Sequence, residues 1–552
     1  MRILKQQFTR YRFIFVVLLF ALLSVSNLFH AGLPPTHDGE YHVVRFYEFD
    51  KTLRDGSWYP LWAPDLNYTF GSPLFNYVYP LPSYIASGLH LFGISFIDAF
   101  KGNLILASLV GAVGAYLFGR NRFGEWGGLL TSGFYTFAPY HSLDVYVRGS
   151  VGEVWALALF PLSLWSLDRI SKKPNISNVS YAAIFFALII FSHNILAVMF
   201  YVFSLTYAFL LVSESKDRIR TSPYLISSFI FGTLLASIFI IPALFEQKYV
   251  TGLKVFDVFS NFPEVYQLII PSWGSGYSGI LSGSQMSFQI GLANLFVILL
   301  ILTAIIFKKV KKDKKFVIFY FTWLLVLCFL ITPYSIPIWK MVSPMQYFQF
   351  PWRLLSLVIL CCAVLAGYIT LLYRSKILNI FLLVFLILST FNYAKVPYFM
   401  ERNDNYYLTH ENFIYGSNSI ANAFQTVWLP KQTKVPTQRA YLSIENGAVK
   451  FIGGNNTSQT YSVNLKASDE IIINTAYFPG WKVYDGRKEI GIGEKEGKIA
   501  ASLKPGKHNL KVKLTNTPVR LLSKIISFLT LLILLTILFK GSVIQYFHEN
   551  RN

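Results

Sequence analysis

Apolar runs close to the ~20 residues that a membrane-spanning helix needs recur along most of the chain, separated by short basic loops. The pattern predicts spans near 13–29, 98–118, 125–139, 152–168, 179–193, 195–212, 224–244, 290–307, 316–333, 352–372, 377–392 and 520–540. Lysine and arginine gather at 119–126, 169–174, 214–220, 308–315 and 373–376, which the positive-inside rule assigns to the cytoplasm. Twelve crossings then leave both termini inside. Arg2, Lys5, Arg10 and Arg12 before the first run point the same way, and no small-x-small cleavage site makes that run a signal peptide. Residues 80–97 are nearly long enough to span but carry Pro80, Pro82, Gly88, His90 and Gly93. Letting them cross would put Arg120 and Arg122 outside, so they are read as an interfacial or re-entrant helix.

The period changes after residue 393. Glu470–Ile473, Trp481–Tyr484 and Asn509–Leu514 alternate, with turns at Asp485-Gly486 and Lys504–Lys507, which predicts a small β-sandwich. The expected fold is an all-α polytopic membrane protein of about 12 transmembrane helices with a C-terminal extracytoplasmic β-sandwich domain. The division is a transmembrane domain over 1–392 with a long first outer loop (30–97), a β-rich domain over 393–518, and a final helix and cytoplasmic tail over 519–552. A second outer loop, 246–289, is rich in Gly, Ser and aromatic residues.

The 552 residues are 54% hydrophobic and carry a formal charge of +21. The positive charge sits in the short loops, so topology and contact with membrane lipids explain it, and nucleic acid is not an expected partner. Cys328, Cys361 and Cys362 fall inside apolar segments, which reads as core packing rather than a disulfide or metal framework.

Chemistry concentrates at the outer boundary. Thr36-His37-Asp38-Gly39-Glu40-Tyr41-His42 places acids and imidazoles just past the first span. A helix from there to Arg54 puts Asp38, His42 and Arg45 on one face. Asp38 reads either as a helix N-cap or as a general base or metal ligand. Neither histidine has the spacing of a zinc helix. Arg148 and Glu153, in the stretch Tyr140–Glu153, stand at headgroup level, as a substrate contact or as an ion pair anchoring helix ends. Ser192-His193-Asn194 forms a tight outer turn, and Gln346–Arg353 brings Trp352 and Arg353 into a span from outside. Snorkelling in an aromatic belt is the alternative for that last pair. All four motifs fall on one membrane face, while the span interiors hold almost no ionisable residue, which disfavours an ion-coupled pump.

His37-Asp38-Gly39-x-x-His42, Gly56-x-x-Tyr59-Pro60-x-Trp62, Gly71-x-Pro73 and Tyr79-Pro80-Leu81-Pro82 resemble the first loop of GT-C superfamily membrane glycosyltransferases. The resemblance extends through Tyr146–Glu153, Ser192–Asn194, Phe350–Arg353 and Tyr477–Trp481, and is strongest to 6-pyruvoyl-tetrahydropterin synthase-related and bacterial YfhO-type membrane proteins. No three-histidine zinc set with a nucleophilic cysteine supports the pterin-synthase part of that label.

The resemblance implies transfer of a sugar from a polyprenyl-phosphate donor to a glycan, lipid or protein acceptor on the outer face of the cytoplasmic membrane. Asp38 would be the base, with Glu40, His37 and His42 beside it. Arg148, Glu153, His193, Asn194, Trp352 and Arg353 would bind substrate. The arginines favour metal-independent chemistry. If a divalent cation such as Mg or Mn takes part, as in some enzymes of the superfamily, Asp38, Glu40, Asp144 and Glu153 are the candidate ligands. The alternative is a non-enzymatic lipid-linked glycan translocase or envelope-polymer assembly protein. A translocase should line a path across the bilayer with polar groups, which this sequence lacks.

Overall fold

The computed structural model describes residues 2–252, 256–279, 285–409 and 423–549. Parts of the second outer loop and of the 393–518 region lie outside the described residues, as do the side chains of Arg2, Lys5 and Arg10.

Each apolar run folds as helix. In chain order these are α1 (Arg2–Ser24), α4 (Phe96–Thr136), α6 (Val151–Lys172), α7 (Ile176–Ser192), α8 (Asn194–Glu214), α9 (Arg218–Leu235) and α10 (Ser237–Phe245). They continue with α12 (Leu292–Ile306), α13 (Lys314–Ile331), α15 (Leu355–Tyr373), α16 (Lys376–Thr390) and α18 (Pro518–Glu549). Between them lie the shorter α2 (Gly39–Arg54), α3 (Leu81–Leu91), α5 (Pro139–Leu143), α11 (Val265–Ile269), α14 (Ile336–Met341) and α17 (Asp404–Leu408). The second and third predicted spans share α4, broken at Gly124, whose φ of +81° only glycine adopts cheaply.

Among the described residues, six helices are long and apolar enough to cross a membrane, or seven if the bent α9–α10 pair counts as one span. The apolar part of α1, α7 and α12 are shorter. The 67° bend between α9 and α10 frees backbone groups, and Ser527 of α18 takes one up: its hydroxyl accepts from the Ile238 amide at 2.8 Å. Helix α3 has 11 residues and rises roughly 16 Å, too little to cross a hydrocarbon core.

Helix α15 runs through the middle of the bundle and is buried from Leu355 to Thr370. Helix α18 lies at the periphery against α7, α9 and α10. At the end of α6 farthest from Glu153, Arg122 donates to Asp168 at 2.6 and 2.5 Å, and Tyr207 donates to the same carboxylate at 2.5 Å. That knot joins α4, α6 and α8.

The alternating segments form strands: β1 (Ala440–Leu442), β2 (Gly447–Asn455), β3 (Ser458–Leu465), β4 (Asp469–Ala476), β5 (Trp481–Asp485), β6 (Lys488–Ile490), β7 (Gly493–Lys495), β8 (Lys498–Leu503) and β9 (Gly506–Leu514). They build an antiparallel four-stranded sheet, β1-β4-β8-β7, and a five-stranded sheet, β2-β3-β9-β5-β6. Ile471, Ile473 and Ile499 of one and Tyr461, Val463, Leu510 and Val512 of the other share one apolar cluster.

Residues of the first loop complete that cluster. Trp62 packs edge-on against Trp481 at 5.4 Å, and the Ala476 amide donates to the Phe70 carbonyl at 2.7 Å. Residues 396–409, by contrast, pack with the first loop: Asp404 caps α4 by accepting from the Phe96 and Ile97 amides at 2.7 and 3.1 Å. The strands therefore begin well after the hydropathy change at 393.

A buried ion pair ties these parts together. Arg520, in the first turns of α18, reaches Glu246 through Nε at 2.9 Å. The same carboxylate accepts from Asn76 of the first loop at 2.9 Å and from Thr517 at 2.7 Å. Removing one member of such a pair strands the other charge in the packing, at a cost of ~3–5 kcal/mol. Glu246→Ala should therefore clearly lower the thermal midpoint of the purified protein in nanodiscs. The double variant Glu246→Leu with Arg520→Met should regain most of the loss. An unchanged midpoint in the single variant would show that this pair does not hold the first loop and α18 together.

Candidate functional site

The start of α2 is built by backbone pairing with a distant segment. The His37 amide donates to the Val147 carbonyl at 3.0 Å and the Asp38 amide to the Arg148 carbonyl at 2.9 Å. Thr36 supplies the cap, its hydroxyl accepting from the Gly39 amide at 3.2 Å. A Cβ on Gly149, whose φ is +60°, would overlap that hydroxyl, so only glycine lets the two segments meet. Asp38 occupies the N-cap position, yet its side chain makes no capping bond. Among the described residues, no hydrogen bond or ion pair engages this half-buried carboxylate.

Behind it lies a cluster around Glu153, in the first turn of α6 and without exposed surface. Arg148 Nη1 lies 2.6 Å from Glu153 Oε2 and 2.6 Å from Asp144 Oδ1. Arg353, just before α15, donates from Nε to Glu153 Oε1 at 2.8 Å. Its Nη1 donates to the Phe348 carbonyl at 3.0 Å and to Gln349 Oε1 at 2.7 Å. Tyr140 donates to Glu153 at 3.2 Å. Trp352 lies beneath both guanidiniums, 4.7 Å from Arg148 and 6.0 Å from Arg353. Residues 144–148 form a π-helical turn closed by Gly149, which aims Asp144 and Arg148 at the same point. Burial, and then the charge of Glu153, push the Asp144 carboxyl well above its usual range.

The arginines are thus brought together from positions about 200 residues apart, but each is already paired with carboxylate. Two acids face two guanidiniums, and each guanidinium has a carboxyl partner. Arg148 Nε and Nη2 and Arg353 Nη2 have no hydrogen-bond partner among the described residues and are not sealed in the packing. Those edges are what a phosphate could use.

His193 caps α8, its Nδ1 accepting from the Leu196 amide at 3.2 Å. The neutral ring then carries its proton on Nε2, which points to Glu153 Oε1 at 3.7 Å. His37 stacks on Tyr277 at 4.6 Å, and its Nε2 pairs with the Ser275 carbonyl at 3.0 Å, so the second outer loop covers this side of Asp38. Burial lowers the His37 pKa, with Arg148 adding to the effect.

Other predicted residues turn elsewhere. Glu40 pairs with Arg402 at 2.9 Å. His42 is buried between Phe46 and Phe100, and that burial holds its pKa well below the usual value. Asn194 donates to the Tyr77 carbonyl at 3.1 Å and so positions the first loop. Trp352 is a buried platform rather than an open contact. The carboxylates suggested as metal ligands are dispersed: Glu40 goes to Arg402, Asp144 and Glu153 to Arg148. No group of three His, Cys, Asp or Glu able to hold an ion occurs among the described residues.

Sequence reasoning gave no role to Tyr140 or to Tyr79. The tyrosine of Tyr-Pro-Leu-Pro packs its ring against Gly152, where a Cβ would overlap it, and against His193 at 5.1 Å. The adjacency of Gly152 to Glu153 was the available signal.

No curated protein matches this chain significantly. Solved structures similar to it include the arabinofuranosyltransferase AftD from Mycobacteria, at 13% identity and a TM-score of 0.43, over 69% of this chain and 26% of that one. Another is ArnT from Cupriavidus metallidurans bound to undecaprenyl phosphate, at 14% identity and a TM-score of 0.41, over 65% of this chain and 59% of that one. The chain thus spans about a quarter of AftD and under two thirds of ArnT. Residues 75–398, well over half the chain, match the family described as "6-pyruvoyl-tetrahydropterin synthase related domain; membrane protein". The protein belongs to this family of membrane proteins.

Proposed function

We propose that this membrane protein is a glycosyltransferase that moves a sugar from a polyprenyl-phosphate donor to an envelope acceptor on the outer face of the cytoplasmic membrane. The observation that carries the reading is Asp38: a carboxylate whose backbone is paired to that of Arg148 and whose side chain has no partner among the described residues. In the reaction, Asp38 takes the proton of the acceptor hydroxyl. The acceptor oxygen bonds to the anomeric carbon from the face opposite the lipid phosphate, inverting its configuration. The bond from that carbon to the phosphate oxygen breaks, and its electron pair leaves with the phosphate. Arg148 and Arg353 meet that charge with planar donor edges, held in place by Glu153. The β region, docked on the first loop through Trp62, stands where it can shape acceptor access.

Twelve crossings with both termini inside fit this reading, because they put residues 30–97, 140–150, 193–194 and 349–353 on one side. Impermeant thiol labelling of intact cells checks it. Cysteines placed at Ser95 and Gly276 should label from outside, and one at Asn121 should not. Labelling at Asn121 would mean that residues 80–97 cross the membrane.

The catalytic assignment is tested by Asp38→Asn, which keeps shape and removes the base. Transfer from a polyprenyl-phosphate sugar by the purified variant should fall by ~10²-fold or more, with insertion and thermal midpoint unchanged. Wild-type transfer by the variant would remove Asp38 from the mechanism. Envelope glycans that change in a deletion strain but not in a strain carrying Asp38→Asn would favour a non-enzymatic assembly role.

A further inference from the structure

Tyr79 stands in the site with its hydroxyl unused. Its backbone precedes Pro80, which opens α3, and the neighbouring Tyr77 carbonyl is held by Asn194. Its ring is wedged between Gly152 and His193, and the ring carbon that bears the oxygen is one of those touching Gly152. The phenol end of the ring therefore lies against the residue before Glu153.

Tyr79 is partly buried, and a tyrosine hydroxyl held within packing ordinarily finds a hydrogen-bond partner. This one has none among the described residues, and it is not sealed away either. The charged groups acting on it are Arg45, Asp38, Glu153 and Arg353, and the last three belong to the proposed reaction centre. Because both guanidiniums of the Asp144, Glu153, Arg148 and Arg353 core already have carboxyl partners, an incoming phosphate gains from neutral donors as well as from guanidinium edges.

We infer that Tyr79 is a substrate-contacting residue whose hydroxyl donates a hydrogen bond to the phosphate of the lipid-linked donor, beside the open edges of Arg148 and Arg353. This rests on the glycosyltransferase reading. Gly152 is the matching device: its missing side chain lets the ring lie flat on the start of α6 and fixes where the oxygen points. Burial also raises the phenol's pKa, so at physiological pH it keeps the proton that it would donate to a phosphate.

The experiment measures binding of undecaprenyl phosphate to the full-length protein in nanodiscs, for wild type and Tyr79→Phe, together with each thermal midpoint. Tyr79→Phe should bind on the order of tenfold more weakly, as expected for one lost hydrogen bond to a charged group. Its midpoint should match the wild type, because no protein partner loses a bond. Equal affinity in the variant overturns the role of Tyr79 while leaving the glycosyltransferase reading intact. A midpoint several degrees lower, or failure to fold, also overturns it, since the hydroxyl would then serve the fold. If the wild type itself does not bind the lipid phosphate, the functional reading falls, and this inference with it.

Discussion

A carboxylate with no exposed surface stays ionised in protein only when cations and donors are brought to it, because burying an unpaired charge is far more costly than any single contact can offset. Glu153 meets that demand by drawing Arg148 from the turn before α6 and Arg353 from the segment before α15, with Tyr140 donating beside them. Each partner arrives with its own chain. The turn that delivers Arg148 also offers the carbonyls on which His37 and Asp38 hang, and the segment that delivers Arg353 sets Trp352 beneath both guanidiniums. The position of Asp38 is thus a consequence of how Glu153 is neutralised.

Helix α6 carries a second buried acid near its other end, Asp168, gripped by Arg122 and Tyr207. Glu153 and Asp168 are roughly 22 Å apart along a helix rising 1.5 Å per residue, about three quarters of the height of a ~30 Å hydrocarbon core. Between them the helix is apolar and packed. With polar knots at its two ends and no ionisable group between, α6 offers no charged step along its length. Both knots join elements far apart in sequence, so they fix helix order as well as depth.

Outside the bundle, the first loop is shared between two cores. Its helices pack with residues 396–409 and the start of α4, while Trp62 and Phe70 belong to the apolar cluster of the sheets. Glu246 and Arg520 lock the loop to α18 at the same level. The strands, the first loop and the last helix therefore brace one another.

The elements were legible in the sequence because they depend on local periodicity. Apolar runs of span length became helices, the alternation at 470–514 became strands, and the prolines and glycines of 80–97 foretold a helix too short to cross. The polar motifs that the fold gathers around Glu153 were also visible, since they interrupt apolar runs. Their partners were not. That Thr36 rather than Asp38 caps α2, that Glu40 turns to Arg402, that His42 is buried between phenylalanines, and that Tyr79 lies on Gly152 all depend on contacts between segments far apart in the chain. Periodicity says which face of a helix is buried, but not which distant side chain meets it. The sequence by itself determined the elements and the residues able to do chemistry. Only the packing of α6 against the first loop and the start of α15 decided which of them stand together, because a buried charge is satisfied by whatever the tertiary fold brings within about 3 Å of it.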